Sequence, residues 1–576
     1  MEYIREISKY LDEWRGSKYR KPLVLRGARQ VGKTTLVRQF SKKFKYSILL
    51  NLETTIDLSY FQDYKGAKEI LEVLLAKHQI PSDGVKDTLL FIDEIQESPF
   101  AIQLLRYFYE FFPDLCVIAA GSLLEFAVRK VRSMPVGRVE YLYIYPLNFS
   151  EYLLAKGEKA AWEAFNEVPI RPVFHPYLLE LFKRYAVIGG LPETVKLDIE
   201  KNNLSDLSKV YESIWQSYIE DVEKYSTNQT DREVISYIIQ NAPVFIDQRV
   251  KFQNFGGSEY RSREVRAAFS KLEKAKVIRL IRPVTEVEFP ALPNLKKTPR
   301  LQFVDSGLVN DALGIQTELM GFDDLSNSYR GALIPHIITQ ELLSLNVSKN
   351  RQPNFWVREK NQSSAEVDLI HAYRMKLIPI EIKSGPKGTL KSLHQFIDMA
   401  SHIYAVRVYG GKFTIEVNKT ATGKKYLLMN LPYYLGSKIP AYIAYFVDNY
   451  RLSDDESSAI YEEYVIPPAL VKEGYVSPYK SKKSIFEEDE TSFAEIKNEG
   501  VIVWPPEIDS KTDKVKTILS LVLQIIRSEN GIRANILALR IGKSIATTER
   551  YIKLLRTNGL IEFVGAPKIG GYYLMD

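Results

Sequence analysis

The stretch Gly27-Ala28-Arg29-Gln30-Val31-Gly32-Lys33-Thr34 constrains this chain more than any other, because it meets every position of the G-x-x-x-x-G-K-[ST] pattern. Its flanks agree: Leu23-Val24-Leu25 reads as a short buried strand, and 35–44 reads as a helix opening on Thr35. Phosphate binding asks for a loop in that position. Glycine lets the main chain wrap close around an anion, and successive N–H groups point inward at a helix N-terminus whose dipole favours negative charge. In that geometry Lys33 reaches the outer phosphates of a nucleotide and the Thr34 hydroxyl ligates Mg²⁺, while the main chain from Gly27 to Thr35 forms the cradle.

More strands follow. Tyr46-Ser47-Ile48-Leu49-Leu50-Asn51-Leu52 is one, and Thr88-Leu89-Leu90-Phe91-Ile92-Asp93-Glu94 is an apolar strand ending in two carboxylates about sixty residues after Lys33. That is the Walker B pattern, in which Asp93 binds the Mg²⁺ shell and Glu94 positions and polarises the attacking water. A third apolar strand, Leu115 to Ala120, runs into Gly121-Ser122. A helix over 123–132 comes next, and Gly137-Arg138 precedes a strand over 139–144. Residues 1–20 read as an amphipathic helix with Ile4, Ile7, Leu11 and Trp14 on one side.

At 576 residues the chain exceeds one core, and about 150 residues per domain predicts three to five units. The single cysteine, Cys116, lies in an apolar strand, so disulfides and cysteine-rich metal sites are excluded and a reducing cytoplasm is the expected location. Met1-Glu2-Tyr3-Ile4-Arg5 lacks a basic-then-apolar targeting pattern, and no apolar run approaches the roughly 20 residues of a membrane span. The net charge of +7 is unevenly placed: 451–510 carries −8 and 511–576 carries +6. A basic end module after an acidic stretch points to a nucleic-acid partner.

Four segments taken together resemble a large family of prokaryotic AAA-type ATPases that carry a C-terminal domain of unknown function. They are the run Arg26 to Thr35, Phe91-Ile92-Asp93-Glu94-Ile95-Gln96, Ala119-Ala120-Gly121-Ser122, and Gly137-Arg138 with Tyr145-Pro146-Leu147-Asn148-Phe149. The resemblance covers roughly residues 1–440. It implies ATP and Mg²⁺ as cofactors. It also makes Ser122 a sensor of the γ-phosphate, although an ordinary helix cap uses the same residue type. Arg138 falls where such ATPases carry the finger that reaches a neighbouring subunit's nucleotide in a homo-oligomer, with Arg129 and Arg132 in reserve; a surface ion pair is the plain alternative.

Residues 146–230, containing Val187-Ile188-Gly189-Gly190-Leu191-Pro192, read as a helical lid, and 231–315 as a winged helix in which Arg261, Arg263, Arg266 and Lys271 could face DNA. In 316–440 the strands Asn354 to Arg358, Ala365 to Ile370 and Leu377 to Lys383 carry Asp368 and then Glu381-Ile382-Lys383. This is the skeleton of the PD-(D/E)xK nuclease fold. Glu381 and Lys383 are two apart on a strand and share a face; Asp368 and Glu381 could hold Mg²⁺ while Lys383 activates water. The family's usual glutamate after Gly-Ala-Leu-x is missing, because Gly331-Ala332-Leu333-Ile334 is followed by Pro335, with Glu341 further on. A fold that scaffolds without cutting is therefore the competing expectation. Residues 441–510, with Asp454-Asp455-Glu456 and Glu487-Glu488-Asp489-Glu490, read as an acidic linker. Residues 511–576 read as a second winged helix whose Lys543, Arg550, Lys553, Arg556 and Lys568 suit DNA phosphates, with Thr547 and Thr548 near base edges. The same shape also serves dimerisation or partner binding.

The expected fold class is α/β. A P-loop AAA-type ATPase core (1–145; parallel sheet, three-layer) is followed by a lid, a winged helix, a PD-(D/E)xK nuclease-like α/β domain, a linker and a second winged helix. The expected function is Mg-dependent ATP binding and hydrolysis coupled to DNA-binding appended domains. An ATP-gated DNA nuclease and a nucleotide-dependent regulatory switch with little turnover are the alternatives.

Overall fold

The structure is a computed structural model that describes residues 3–122, 137–224, 226, 228–321, 331–348, 352–358, 365–383, 390–452, 513–528, 531–541, 545–564 and 571–574. The helix expected over 123–132, Arg129, Arg132, the acidic runs at 454–456 and 487–490, Lys543 and Lys568 lie outside the described residues. Contacts divide the chain into two compact units, Met1–Val465 and Ile466–Asp576.

The first unit begins with an α/β layer. Strands β1 (Leu23–Arg26), β2 (Tyr46–Asn51), β3 (Thr88–Asp93), β4 (Cys116–Gly121) and β5 (Glu140–Tyr143) form a parallel sheet in the order β2-β3-β4-β1-β5. Both faces are covered, so β3 and β4 are buried at every residue. Alternation divides their side chains between two cores: Leu89, Phe91, Cys116, Ile118 and Ala120 enter one, and Leu90, Ile92, Val117 and Ala119 the other. Register then fixes the site. Arg26 pairs with Gly121 and Ile92 with Ala119, so Gly27, Ser122 and Asp93 emerge along one carboxyl edge, where open α/β sheets bind ligands.

Helices Phe149–Lys156, Lys159–Asn166, His175–Ile188, Pro192–Lys201 and Ser208–Glu223 follow, as expected for 146–230. Next come helices Gln229–Asn241 and Ser262–Lys274 and the strands β6 (Ile278–Ile281), β7 (Pro283–Val284) and β8 (Arg300–Phe303), with β6 antiparallel to β8. Although β7 lies within 231–315, it joins the next sheet, running parallel to β9 (Asn354–Val357). That sheet continues with β10 (Glu366–Tyr373), β11 (Lys376–Ile382), β12 (Tyr404–Tyr409), β13 (Thr414–Lys419) and β14 (Lys425–Pro432) in the order β13-β14-β12-β11-β10-β9-β7. Helix Leu333–Ser344 precedes β9, and helix Lys391–Met399 links β11 to the parallel β12.

Close packing explains the Gly189-Gly190 pair. A Cβ on Gly190 would stand 2.0 Å from Leu147 O, and one on Gly189 would stand 2.1 Å from Asp305 Oδ1. Gly189, at φ 71° and ψ −168°, also occupies backbone space essentially reserved for glycine. Gly190 N–H donates to Asp305 Oδ2 at 2.7 Å, and Leu147 N–H to Gly190 O at 2.6 Å. Two residues after β8, Asp305 is thereby bound to the turn that ends helix His175–Ile188. Burial raises its carboxyl to about 6, against the lowering effect of the backbone donors.

The second unit packs helices Asp513–Ser528, Ala534–Arg540 and Ile545–Thr557 against a hairpin of β15 (Ile561–Val564) and β16 (Gly571–Leu574). Leu519, Val522 and Ile526 recur at helical spacing and share a core with Leu537, Ile552, Leu555 and Ile561. A bridge between Ile532 and Tyr572 adds a third short extended segment. Among the described residues no helix is long and apolar enough to cross a membrane.

Candidate functional site

The loop after β1 has the backbone its glycines predict. Gln30 (φ 62°) and Gly32 (φ 91°) are left-handed, and a Cβ on Gly27 would meet Ile144 O at 2.4 Å. Helix Lys33–Ser41 begins directly after Gly32. Lys33 is buried, and its ammonium donates to Ala28 O at 2.7 Å and Gly27 O at 3.2 Å. Burial lowers its pKa to about 8, while the charges of Glu94 and Asp93 work against that shift. Thr34 Oγ1 donates to Asp93 Oδ2 at 2.6 Å, which brings together the hydroxyl and carboxylate expected to share Mg²⁺. Burial raises the Asp93 pKa, and the Thr34 hydrogen bond opposes this.

Glu94 follows in left-handed conformation (φ 49°), and its Oε2 accepts from Gln96 Nε2 at 2.6 Å. Sequence reasoning missed Gln96 as a site residue, although it stands two positions past Glu94 in a quoted motif. Its Oε1 has no hydrogen-bond partner among the described residues, nor does the Oγ of buried Ser122. A Cβ on Gly121 would lie 2.3 Å from Gln96 Oε1, so a larger residue there would displace the Gln96 side chain. Gln30 Oε1 is a third buried acceptor without a partner. Unpaired buried polar atoms are costly, and three around one phosphate loop fit a site shaped for a polar ligand.

The helices that follow β5 reach the loop at two points. Asp221, on helix Ser208–Glu223, pairs with Arg29, and Tyr218 OH donates to Arg29 O at 3.1 Å. Pro192 Cγ and Arg5 Nη1 flank Gly32, at 3.4 and 3.5 Å from where a Cβ would stand. Arg5 donates to Val31 O at 3.1 Å and Tyr145 O at 2.7 Å, and it pairs with Glu151 at 3.0 Å. Neither Arg5 nor Asp221 carries a sequence signal, because both act through tertiary contacts. Arg138 lies elsewhere: it precedes β5 at the sheet edge opposite the loop, where it pairs with Glu110 at 3.4 Å.

A second polar cluster forms where β8 meets β10 and β11. Lys383 Nζ pairs with Glu381 Oε1 at 2.7 Å, and Ile382 N–H donates to Asp368 Oδ2 at 2.8 Å. The register of β10 on β9 shifts between Val367 and Ile370, an irregularity of the kind that re-aims side chains. The unexpected member is Arg300. Its guanidinium pairs with Glu366 and Asp368 (3.2 Å to Asp368 Oδ1) and lies 3.5 Å from Asp247 Oδ2. Glu381 Oε2 is buried without a partner, and burial together with nearby Asp368 raises its pKa. Burial likewise lifts Asp247 to about 7. Among the described residues no three His, Cys, Asp or Glu side chains are arranged to hold a metal ion. Glu341 is not in this cluster; its Oε1 accepts from Phe149 N–H at 2.9 Å and Tyr185 OH at 2.8 Å. After Pro335, helix Leu333–Ser344 presents buried His336 to Gln302, whose Nε2 donates to Asp247 at 2.6 Å.

In the second unit Arg550, Lys553 and Arg556 are all exposed on helix Ile545–Thr557, with spacing that keeps them along one side. Thr548 differs from its expectation: it is fully buried and unavailable to a base edge, because it sits on the turn that supplies Ile552 to the core. In the earlier module Lys271 pairs with Asp231 and Arg266 lies over the Phe252 ring, while Arg261 and Arg263 are exposed.

Comparison with known families finds three matching segments. Residues 19–153 match an AAA domain family, and 179–319 and 330–433 each match a domain of unknown function (DUF8612 and DUF4143). No curated protein matches the chain. Lys33, Thr34, Asp93 and Glu94 assembled at the carboxyl edge of a parallel sheet, together with the match over 19–153, support an AAA-type P-loop ATPase N-terminal region.

Proposed function

We propose that the chain binds and hydrolyses Mg-ATP, and that the lid passes nucleotide state to appended domains, of which the last binds nucleic acid. The observation that carries this reading is the lid's grip on the phosphate loop itself, through Asp221 on Arg29 and Tyr218 on the Arg29 carbonyl. Lys33 and the loop amides would hold the phosphates, Thr34 and Asp93 the metal, and Ser122 the γ-phosphate. Mg²⁺ supplies charge neutralisation during phosphoryl transfer, and Glu94 orients the attacking water. With Gln96 donating to it, Glu94 is held in place for that task. Arg138 precedes β5 at the edge opposite its own loop and pairs with Glu110, so a role in the reaction would have to be in trans, on a neighbouring copy.

Protonation gives one check. With its pKa lowered by burial to about 8, Lys33 is mostly neutral at pH 8.5 and mostly charged at pH 7. Phosphate contact favours the ammonium, so ATP binding takes up protons, more at pH 8.5 than at pH 7. Calorimetry in buffers of different ionisation heat measures this; binding heats independent of buffer at pH 8.5 would contradict it.

The order helix, three antiparallel strands, helix, parallel strand over 333–409 supports a PD-(D/E)xK-like reading of that domain. With Arg300 against Asp368, we read it as scaffolding rather than cutting. Three helices and a hairpin support the winged-helix reading of the second unit, and the exposed Arg550, Lys553 and Arg556 support DNA contact. Replacing all three by Glu is expected to weaken duplex binding by the full chain about tenfold or more at low salt and to flatten the salt dependence. Fluorescence anisotropy reads this directly. Unchanged affinity would make the unit a protein-binding module.

A further inference from the structure

Helix Ser208–Glu223 holds Arg29 by both main chain and side chain. Tyr218 OH donates to the Arg29 carbonyl at 3.1 Å, and one turn further on the Asp221 carboxylate pairs with the guanidinium. A second carboxylate, Glu53 just past β2, accepts from Arg29 Nη2 at 3.3 Å. The two acids are unlike, because Glu53 is open to solvent whereas Asp221 is only 4 % exposed. Burial raises the Asp221 carboxyl, and the Arg29 charge is the first to oppose it. Lys224, a weaker second cation, is exposed and stands 3.9 Å from Asp221 Oδ1.

The ion pair sits at the reacting end of the site. Burial works against the Arg29 charge, yet Asp221, Glu94 and Glu53 together lift its pKa above the ordinary value. Glu94 is the carboxylate assigned to the attacking water, so Arg29 lies on the side where a third phosphate would stand. Arg29 and Asp221 also act on buried Lys33, with opposite signs. A guanidinium fork accepts two phosphate oxygens as readily as two carboxylate oxygens. Asp221 is thus an anion of this chain already placed on a cation that an incoming phosphate would use. Once Arg29 turns to that phosphate, Asp221 is left as a buried charge without its counter-ion and beside a new anion, which is costly. Glu53, being exposed, keeps or loses its contact at little cost. A diphosphate ends at the loop amides and Lys33 and leaves the pair intact.

We infer that Arg29 distinguishes ATP from ADP: the γ-phosphate takes the guanidinium from Asp221 and thereby frees the last turn of helix Ser208–Glu223, and ADP does not. This rests on the reading of the loop as an Mg-ATP site and names the contact in it that senses the third phosphate.

The test uses the full chain in Mg²⁺ with ADP and with adenylyl imidodiphosphate, a triphosphate that resists hydrolysis. Equilibrium binding gives the preference for the triphosphate as a ratio of Kd values. Arg29→Gln should lower that ratio about tenfold, the size of one charge-assisted contact. Asp221→Asn removes the rival anion at constant size and should raise the ratio, a gain that structural damage does not produce. In the double variant Asp221→Asn should no longer raise it, because the gain acts through Arg29. Hydrogen exchange on the wild type needs no variant: amides of Asp221 to Lys224 should exchange faster with the triphosphate than with ADP. An unchanged ratio in Arg29→Gln, an equal gain from Asp221→Asn with and without Arg29, or equal exchange under the two nucleotides would overturn the inference alone. A wild type that binds neither nucleotide would overturn the Mg-ATP reading and this inference with it.

Discussion

Lys33→Ala is expected to lower ATP turnover by about 100-fold or more and to weaken nucleotide binding at least tenfold. Lys33 is the one ammonium set between the Gly27 and Ala28 carbonyls at the loop. Charge-assisted contacts to phosphate are among the strongest polar interactions, and charge developing on the transferred phosphoryl group strengthens them further. Glu94→Gln should separate binding from chemistry. The amide keeps the side chain's size beside Gln96 but loses the charge that polarises water, so ATP still binds while turnover falls. Equilibrium binding of a fluorescent nucleotide, measured beside steady-state hydrolysis, distinguishes the two variants. If Glu94→Gln hydrolyses at the wild-type rate, the role given to Glu94 is wrong.

The second large effect falls on stability. In Gly190→Ala the new methyl would stand 2.0 Å from the Leu147 carbonyl oxygen, a main-chain atom that cannot swing aside. Overpacking against a fixed neighbour costs about 3 kcal/mol or more. The loss should appear where the Gly189-Gly190 turn meets the segment after β8. Trp215, whose ring meets Phe303 of β8 edge-on at 5.7 Å, is the local reporter. Its fluorescence should change at lower denaturant in Gly190→Ala than in the wild type, whereas Gly66→Ala, at an extended helix N-cap (φ −164°) with open space around it, should shift the midpoint much less. Equal midpoints for Gly190→Ala and wild type would show that the carbonyl gives way.

Local rules made the first site legible. The strand–loop–helix around Lys33 and the carboxylates after β3 follow from patterns only a few residues long, and the parallel register brings their ends to one edge. Cys116 was readable as a core residue for the same reason, since every residue of its strand is apolar or small. Arg300 was not readable. Its strand is four residues long, its partners lie 53 to 81 positions away in sequence, and nothing in Arg-Leu-Gln-Phe marks the first residue as a buried counter-ion. Asp221 and Arg5 were invisible for a similar reason, because each touches the loop only once helix Ser208–Glu223 and the N-terminus have packed. Thr548 misled because helix position alone does not say which side the core takes; Ile552 and Leu555 settle it.

The most direct test of the account is steady-state ATP hydrolysis by the full chain with and without duplex DNA, on wild type and on the Arg550→Glu/Lys553→Glu/Arg556→Glu protein. Mg-dependent turnover should rise several-fold with DNA in the wild type and stay unchanged in the charge-reversed protein. Turnover equal with and without DNA in the wild type would contradict the coupling, and no Mg-dependent turnover in either condition would contradict the ATPase itself.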